Sequence, residues 1–345
     1  MTADHYLVAS DKVIPAWLQP VAILDLCAAR GIDTHALLLN TALFASDLPF
    51  TGRYISLIQF QQLLANANRL WPGSDFPFQL GHQLLQHGLG PIRALVDSHS
   101  DLRPVLALLC DYSTLLAPAL AMYIVSPAPN EILLMIRPSA FENTDGIALV
   151  SALTALANII KCFKGVREPR YFFRASAGIN RENFTAHLQG ECYFDAPFDG
   201  LRILIDTTEK EAATQNLRAQ VAVADCYALL PKARYLGECL RQLFASGDSG
   251  YRDLGGCAQQ LGISQASLKR RLREHGLSFQ QQLDHYQLEL ALIELLLKRA
   301  SVDEAAARLN FHDSSNFRRA FKRWTGLSPS LMKTHFSSLM TPLPK

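Results

Sequence analysis

Between Asp253 and Phe336 the chain contains one short segment twice. In the first copy Ala258, Leu261, Gly262 and Ile263 lead into Leu268, Arg270, Leu272 and Arg273; in the second, Ala306, Leu309, Asn310 and Phe311 lead into Phe317, Arg319, Phe321 and Lys322. The offset is 48 residues before the turn and 49 after it, so the second turn is one residue longer. Each copy fits a helix, a tight turn and a second helix, an arrangement that needs one residue at positive φ between the helices. Gly262 reaches that region without steric cost. Asn310, at the matching place, is the residue next best suited to it, because its side chain bonds locally.

Beyond each turn the 3.6-residue period sorts the side chains. Leu268 and Leu272 share one face of the first helix, and Phe317, Phe321 and Trp324 share one face of the second. The opposite faces carry Ala266, Arg270 and Arg273, then Ser315, Arg319 and Lys322, at matching spacing. One charged stripe is commonly just a solvated face. Two in the same register behind two suitable turns point instead to a polyanion. Between the copies, Phe279, Leu283, Tyr286, Leu290, Ile293 and Leu297 alternate steps of four and three, which predicts a continuous helix from Ser278 to Leu297. At about 1.5 Å per residue it is roughly 30 Å long. Successive major-groove faces of DNA lie about 34–36 Å apart.

These residues resemble the DNA-binding domain of the AraC/XylS family of bacterial transcription regulators. The resemblance rests on Ala258, LGIS at 261–264, LKRRL at 268–272, SF at 278–279, ELAL at 289–292 and FHDSSNFRRAFKRWTGLSPS at 311–330, and it spans about 85 residues. Asn310, Ala305 and Gly255-Gly256 depart from the usual pattern, which implies loose packing of each first helix. The resemblance implies double-stranded DNA as a partner, and RNA polymerase too if the chain activates. Ser267, Lys269 and Arg270 of the first recognition helix and Ser315, Arg318 and Arg319 of the second are the candidates for base contacts. Arg273, Lys322 and Arg323 lie further along and suit phosphate.

Charge divides the chain in the same place. Residues 1–230 carry 16 Lys/Arg against 21 Asp/Glu, a net of −5, whereas 231–345 carry 17 against 10, a net of +7. The expected organisation is a regulatory domain over 1–230, a linker over 231–250, the DNA-binding domain over 251–337 and a tail over 338–345. No apolar run is long enough to span a bilayer, and MTADHYLVAS has no secretory pattern, so a cytoplasmic protein is expected, with no membrane partner. The seven cysteines are scattered without a C-x-x-C pair, and His82 and His87 are five apart, so neither a disulfide framework nor a metal site is indicated.

The N-terminal region reads first as helices, over Trp17–Arg30, Thr34–Phe44, a stretch from Ser56 stopping before Pro72, Phe78–Gln86, Pro91–Ser98 and Leu102–Leu116. Strand-like runs follow at Ala121–Val125, Glu131–Arg137, Arg170–Ala175 and Leu201–Ile205, with helices at Asp145–Phe163 and around Asn183–Leu188. The fold class expected is an α+β N-terminal effector domain followed by an all-α C-terminal domain with two helix-turn-helix units joined by a long helix. The element order and HGLGPIRALVDSHSDLRPVLALL at 87–109 are similar to the non-cupin effector domain of one branch of AraC-like regulators, over about 20–205. That domain often carries an arabinose-binding label, which is not evidence for a sugar.

Met122, Tyr123, Met135, Phe172, Phe173 and Tyr193 are the candidates for lining an effector pocket, against the alternative that strand aromatics are core. The effector expected is a small, partly apolar molecule, with no cofactor and with a second copy of the chain as a further candidate partner. No nucleophile elbow, phosphate-binding loop, dinucleotide fingerprint or H-E-x-x-H is present, so no enzyme is expected. Non-regulatory architectural DNA binding, or an enzymatic N-terminal domain, stays open as the alternative.

Overall fold

The computed structural model describes residues 6–48, 52–85, 90–125, 130–140, 146–167, 169–175, 181–206, 221, 224, 234–246 and 253–336. His87, Pro127, Pro129, Asp145, Cys226 and the tail over 338–345 lie outside them. The chain divides into two compact units, one over Tyr6–Tyr235 and one containing Leu236–Lys345.

The first unit is built on a five-stranded sheet of β4 (Leu120–Val125), β5 (Glu131–Pro138), β6 (Arg170–Phe172), β7 (Glu191–Tyr193) and β8 (Asp199–Leu204), in the order β4-β5-β8-β6-β7. All neighbours are antiparallel except β6 and β7. Strands alternate their side chains between faces. One face therefore sends Leu120, Met122, Ile132, Leu134, Ile136, Tyr171, Leu201 and Ile203 into the main core. Helices α1 (Gln19–Ala28), α3 (Leu57–Leu70), α4 (Phe76–Gln83) and α8 (Ile147–Ile160) also contribute to that core. Helix α8 is apolar almost all round and correspondingly buried on most sides. It lies so close to α4 that a Cβ on Gly81 would sit 2.5 Å from the Ser151 carbonyl oxygen and from Thr154 Cβ.

Local chemistry sets the helix ends. Ser56 and Gln59 form a reciprocal capping box at the start of α3, as the N-cap reading of Ser56 requires. The expected Thr34–Phe44 helix stops early, as α2 (Thr34–Leu38). Buried Asn66 donates to the carbonyls of Leu37 and Leu39 at 2.9 and 2.7 Å, and Gln59 donates to those of Thr41 and Ala42, so these carbonyls bond to α3 instead of continuing the helix. The Leu102–Leu116 stretch likewise splits at Tyr112 (φ −122, ψ 55) into α6 (Leu102–Asp111) and α7 (Ser113–Leu116). Helices α5 (Gly90–Ser98) and α9 (Arg181–Leu188) lie where the periodicity predicts them. Short pairings of β1 (Tyr6–Leu7) with β9 (Arg234–Tyr235), and of β2 (Lys12–Pro15) with β3 (Tyr54–Ser56), carry too few residues to show an alternating pattern.

In the second unit, residues 236–245, within the segment expected to be a linker, form α10 (Leu236–Ala245). It packs on α13 (Phe279–Leu292), with Phe244 edge-on to Phe279 at 5.6 Å and 5.7 Å from Tyr286. Arg241 of α10 also pairs with Glu289, which is 5% exposed. The connector consequently differs from the expected one. It is α-helical only to Leu292 and widens into a π turn over Ile293–Leu297. Of the expected apolar stripe only Tyr286 is fully buried, while Phe279, Leu283, Leu290, Ile293 and Leu297 are half-buried. The most buried side also carries Gln282 and Glu289, because α10 covers a flank that the periodicity leaves to solvent. Within the π turn, buried Glu294 binds Lys298 and Arg308; burial pushes its carboxyl up, but those two hydrogen bonds outweigh it and hold the group below its usual range.

Candidate DNA-binding surface and effector face

The two repeat copies close their turns identically. Helix α11 (Leu254–Gln260) ends with Gly262 at φ 65, the Gly262 amide donating to Gln259 O and the Ile263 amide to Ala258 O, both at 3.0 Å. Helix α14 (Val302–Arg308) ends with Asn310 at φ 58, the Asn310 amide donating to Ala307 O and the Phe311 amide to Ala306 O, at 3.1 and 3.0 Å. Both are Schellman closures, in which the left-handed residue lets two orphan carbonyls be satisfied. The following helices are capped by side chains, α12 (Gln265–Glu274) by Ser264 and α15 (Ser314–Thr325) by Asp313. The Asn316 amide donating to Asp313 holds that carboxyl below its usual range. Gly255 and Gly256 sit in the first turn of α11, where the Gly256 amide donates to the capping carboxylate of Asp253 at 2.8 Å. Ala305 is fully buried.

Both second helices expose the stripes expected of them. Leu268 and Leu272 are buried, while Lys269, Arg270 and Arg273 are exposed and Ser267 is half-exposed, hydrogen-bonded to Ser264 Oγ. Phe317 and Phe321 are fully buried, while Ser315, Arg318, Arg319, Lys322 and Arg323 are exposed. Trp324 is half-buried, with Phe311 and Phe321 around it. Neighbouring groups hold several of the cations. Arg270 pairs with Glu274 one turn on at 2.7 Å, and Arg319 donates to Asn316 Oδ1 at 2.6 Å. Arg323 reaches back to Asp284 of α13 at 3.1 Å, a tie across elements that the sequence pattern does not reveal. Exposed pairs of this kind contribute little to stability and yield readily to a polyanion.

The six candidate effector residues divide between the two faces of the sheet. Tyr123, Met135, Phe172 and Tyr193 share one face by register, with Phe172 stacked on Tyr193 at 5.5 Å and 4.9 Å from Phe198. Met122 and Phe173 do not belong with them: they point to the other side and are core residues. Strand alternation is the reason, since neighbours in sequence lie on opposite faces. Burial, with the Glu191 hydrogen bond, pushes the Tyr193 hydroxyl up to about 12. Burial also pushes the Cys27 thiol up to about 11 and those of Cys192 and Cys257 up to about 12, so they are not thiolates at neutral pH. Among the described residues no group of three or more His, Cys, Asp or Glu comes together to hold a metal ion. Nor is any described helix long and apolar enough to cross a membrane.

A family model described as the arabinose-binding domain of AraC transcription regulator, N-terminal, matches residues 31–204, half of the chain. A second, described as a helix-turn-helix domain, matches residues 257–334. The chain belongs to the AraC family of transcription regulators. It is 27% identical over 316 residues to the ornithine utilization regulator of Pseudomonas aeruginosa, covering 90% of this chain and 93% of that one. It is also 31% identical over 86 residues to the regulator VqsM of the same organism, covering 25% of this chain and 26% of that one. The crystal structure of the regulator CdpR from Pseudomonas aeruginosa is similar with a TM-score of 0.42 and 16% identity, over 92% of this chain and 98% of that one. Families and relatives alike are regulators, not enzymes. This AraC-family regulator thus combines an effector-binding N-terminal domain with a helix-turn-helix DNA-binding domain.

In the N-terminal unit of the regulator, His82 contacts His187, with Nε2 to Nδ1 at 3.1 Å. Asn158 holds His82 Nδ1 at 2.9 Å, and His187 stacks on Phe78. The pair joins α4, α8 and α9 across 105 residues of sequence, a separation that spacing rules do not reach. Burial, with the charges of His187 and Lys161, pulls the His82 pKa below its ordinary value despite the Asn158 hydrogen bond. A histidine depressed in the fold binds fewer protons than it does unfolded, so its stability contribution is complete above the ordinary imidazole pKa and is lost as pH falls from there through the lowered pKa of the fold. The melting temperature should therefore fall as the pH drops below the ordinary imidazole value of about 6.5. His82→Gln should flatten that slope, as thermal denaturation at several pH values would measure; an unchanged slope would show that the His82 pKa is not lowered on folding.

Proposed function

We propose that this regulator reads two successive major grooves with α12 and α15 and that a small effector bound in residues 1–230 controls that reading. The observation that supports it is the equivalence of the two helix pairs: the same closure, the same cap position and the same exposed basic stripe occur in both. Arg270, Arg319, Lys269 and Arg318 suit guanine edges, Ser267 and Ser315 suit several bases, and Arg273, Lys322 and Arg323 suit phosphate. The name of one relative couples it to ornithine utilization. The corresponding proposal here is a small metabolite, not a sugar in particular. Contact with RNA polymerase, if the chain activates, and pairing with a second copy belong to the same proposal.

Deleting residues 1–230 tests the control. The remaining fragment is expected to bind the operator and to ignore the condition that induces or represses the full-length chain in a reporter assay. A fragment that still responds to that condition would remove the effector from the reading and favour architectural binding.

A further inference from the structure

The two faces of the five-stranded sheet differ in chemistry. Opposite the apolar face that meets the core, the second face carries Arg137, Arg170 and Arg202 beside Tyr123, Met135 and Phe172. This face is no solvated surface: Phe172 is 0%, Arg202 2% and Arg170 8% exposed. Two of its arginines have carboxylates, Arg170 with Glu191 at 2.9 Å and Arg202 with Glu131. The third has none. Arg137 Nε donates to the Tyr123 hydroxyl at 3.2 Å, its guanidinium lies 5.0 Å from the Tyr123 ring centroid, and its buried Nη1 has no hydrogen-bond partner. Arg202 Nη2 is likewise buried without a partner.

A guanidinium nitrogen held off water without a partner is destabilising, and a neutral hydroxyl and a ring face beside the group offset only part of that. An apolar side chain of similar length would serve folding better. We propose that this face is the effector site of the regulator and that Arg137 receives a carboxylate of the effector. The inference rests on reading residues 1–230 as the effector-binding part. A carboxylate matches the planar fork of a guanidinium and supplies the missing charge. Half-buried Tyr123 and Tyr193, with buried Met135 and Phe172 between them in register, set an apolar row for the body of the ligand. Gly200 lies between Met135 and Phe172 in register and puts no side chain in the way. Arg202 is in register with Leu133, four residues from Arg137 along β5, or about 13 Å at 3.3 Å per residue. Its charge is already balanced by Glu131, so the spare Nη2 proton suits a neutral acceptor at the far end of the ligand.

The test uses the full-length chain, thermal denaturation, phenylacetate and its uncharged counterpart phenylacetamide as probes, and the variant Arg137→Met. Without any probe, Arg137→Met is expected to raise the melting temperature by about 2–4 °C, since it removes a half-buried charge whose buried Nη1 has no partner. Phenylacetate at millimolar concentration is expected to raise the melting temperature of the unsubstituted chain, with phenylacetamide giving no rise and Arg137→Met abolishing the effect. A fall in melting temperature on Arg137→Met would overturn the assignment, because Arg137 would then be structural. Equal rises with both probes, a phenylacetate rise that survives Arg137→Met, or no rise with either probe would overturn it as well. If the assignment fails while deletion of residues 1–230 still abolishes the response, the effector reading stands and only the anionic group is wrong.

Discussion

Glu289→Pro is expected to unfold the C-terminal unit at temperatures where the parent chain is folded. A proline in the interior of α13 removes a backbone hydrogen bond and collides with the preceding turn, at a cost of about 3 kcal/mol or more. The same substitution deletes the carboxylate that pairs with Arg241 on α10, and breaking a buried pair costs roughly 3–5 kcal/mol. Because α13 packs against both α10 and α15, the loss should reach α15, one of the two proposed reading helices, and abolish paired operator binding. Circular dichroism of residues 231–345 would follow it, with Glu289→Gln isolating the contribution of the charge. If the proline variant retains its helicity and melts with the parent, α13 does not support the unit.

Operator affinity should fall steeply with salt. Neutralising one phosphate contributes about −0.9 to the log-log slope, so Arg273, Lys322 and Arg323 alone give about −2.7, or roughly 40-fold weaker binding for a fourfold rise in salt. Lys322→Ala should weaken binding to all sequences alike and make the slope shallower by about 0.9. Fluorescence anisotropy at a series of salt concentrations measures both. Binding that barely responds to salt would mean that these exposed cations do not face DNA.

The repeat was legible because it is local: a left-handed residue, a cap and a 3.6-residue period all act within a dozen residues of Gly262 or Asn310. Four strands of the five-stranded sheet and most of the longer helices were legible for the same reason, to within a few residues, whereas the three-residue β7 and helix α10 were not. What stayed hidden depends on partners distant in sequence. The half-buried stripe of α13 and its buried Glu289 follow from α10, whose Arg241 is 48 residues away. The early end of α2 follows from Asn66, and the partner of His82 is 105 residues away. The effector candidates were chosen by residue type, which does not distinguish the two faces of a strand; register separates Phe172 from Phe173. A lone strand arginine such as Arg137 looks solvated in sequence, and the structure shows it without a carboxylate among the described residues.

The central claim is that one chain reads two grooves, and hydroxyl-radical footprinting of a single chain on a duplex containing its operator tests it most directly. Protection of two successive major grooves on one side of the duplex is predicted, with centres about 10 base pairs apart. Arg270→Ala should relax base preference in one half-site only and Arg319→Ala in the other, each by about 1–3 kcal/mol for a bidentate contact. Protection of a single groove, or of two grooves not separated by about one helical turn, would contradict it.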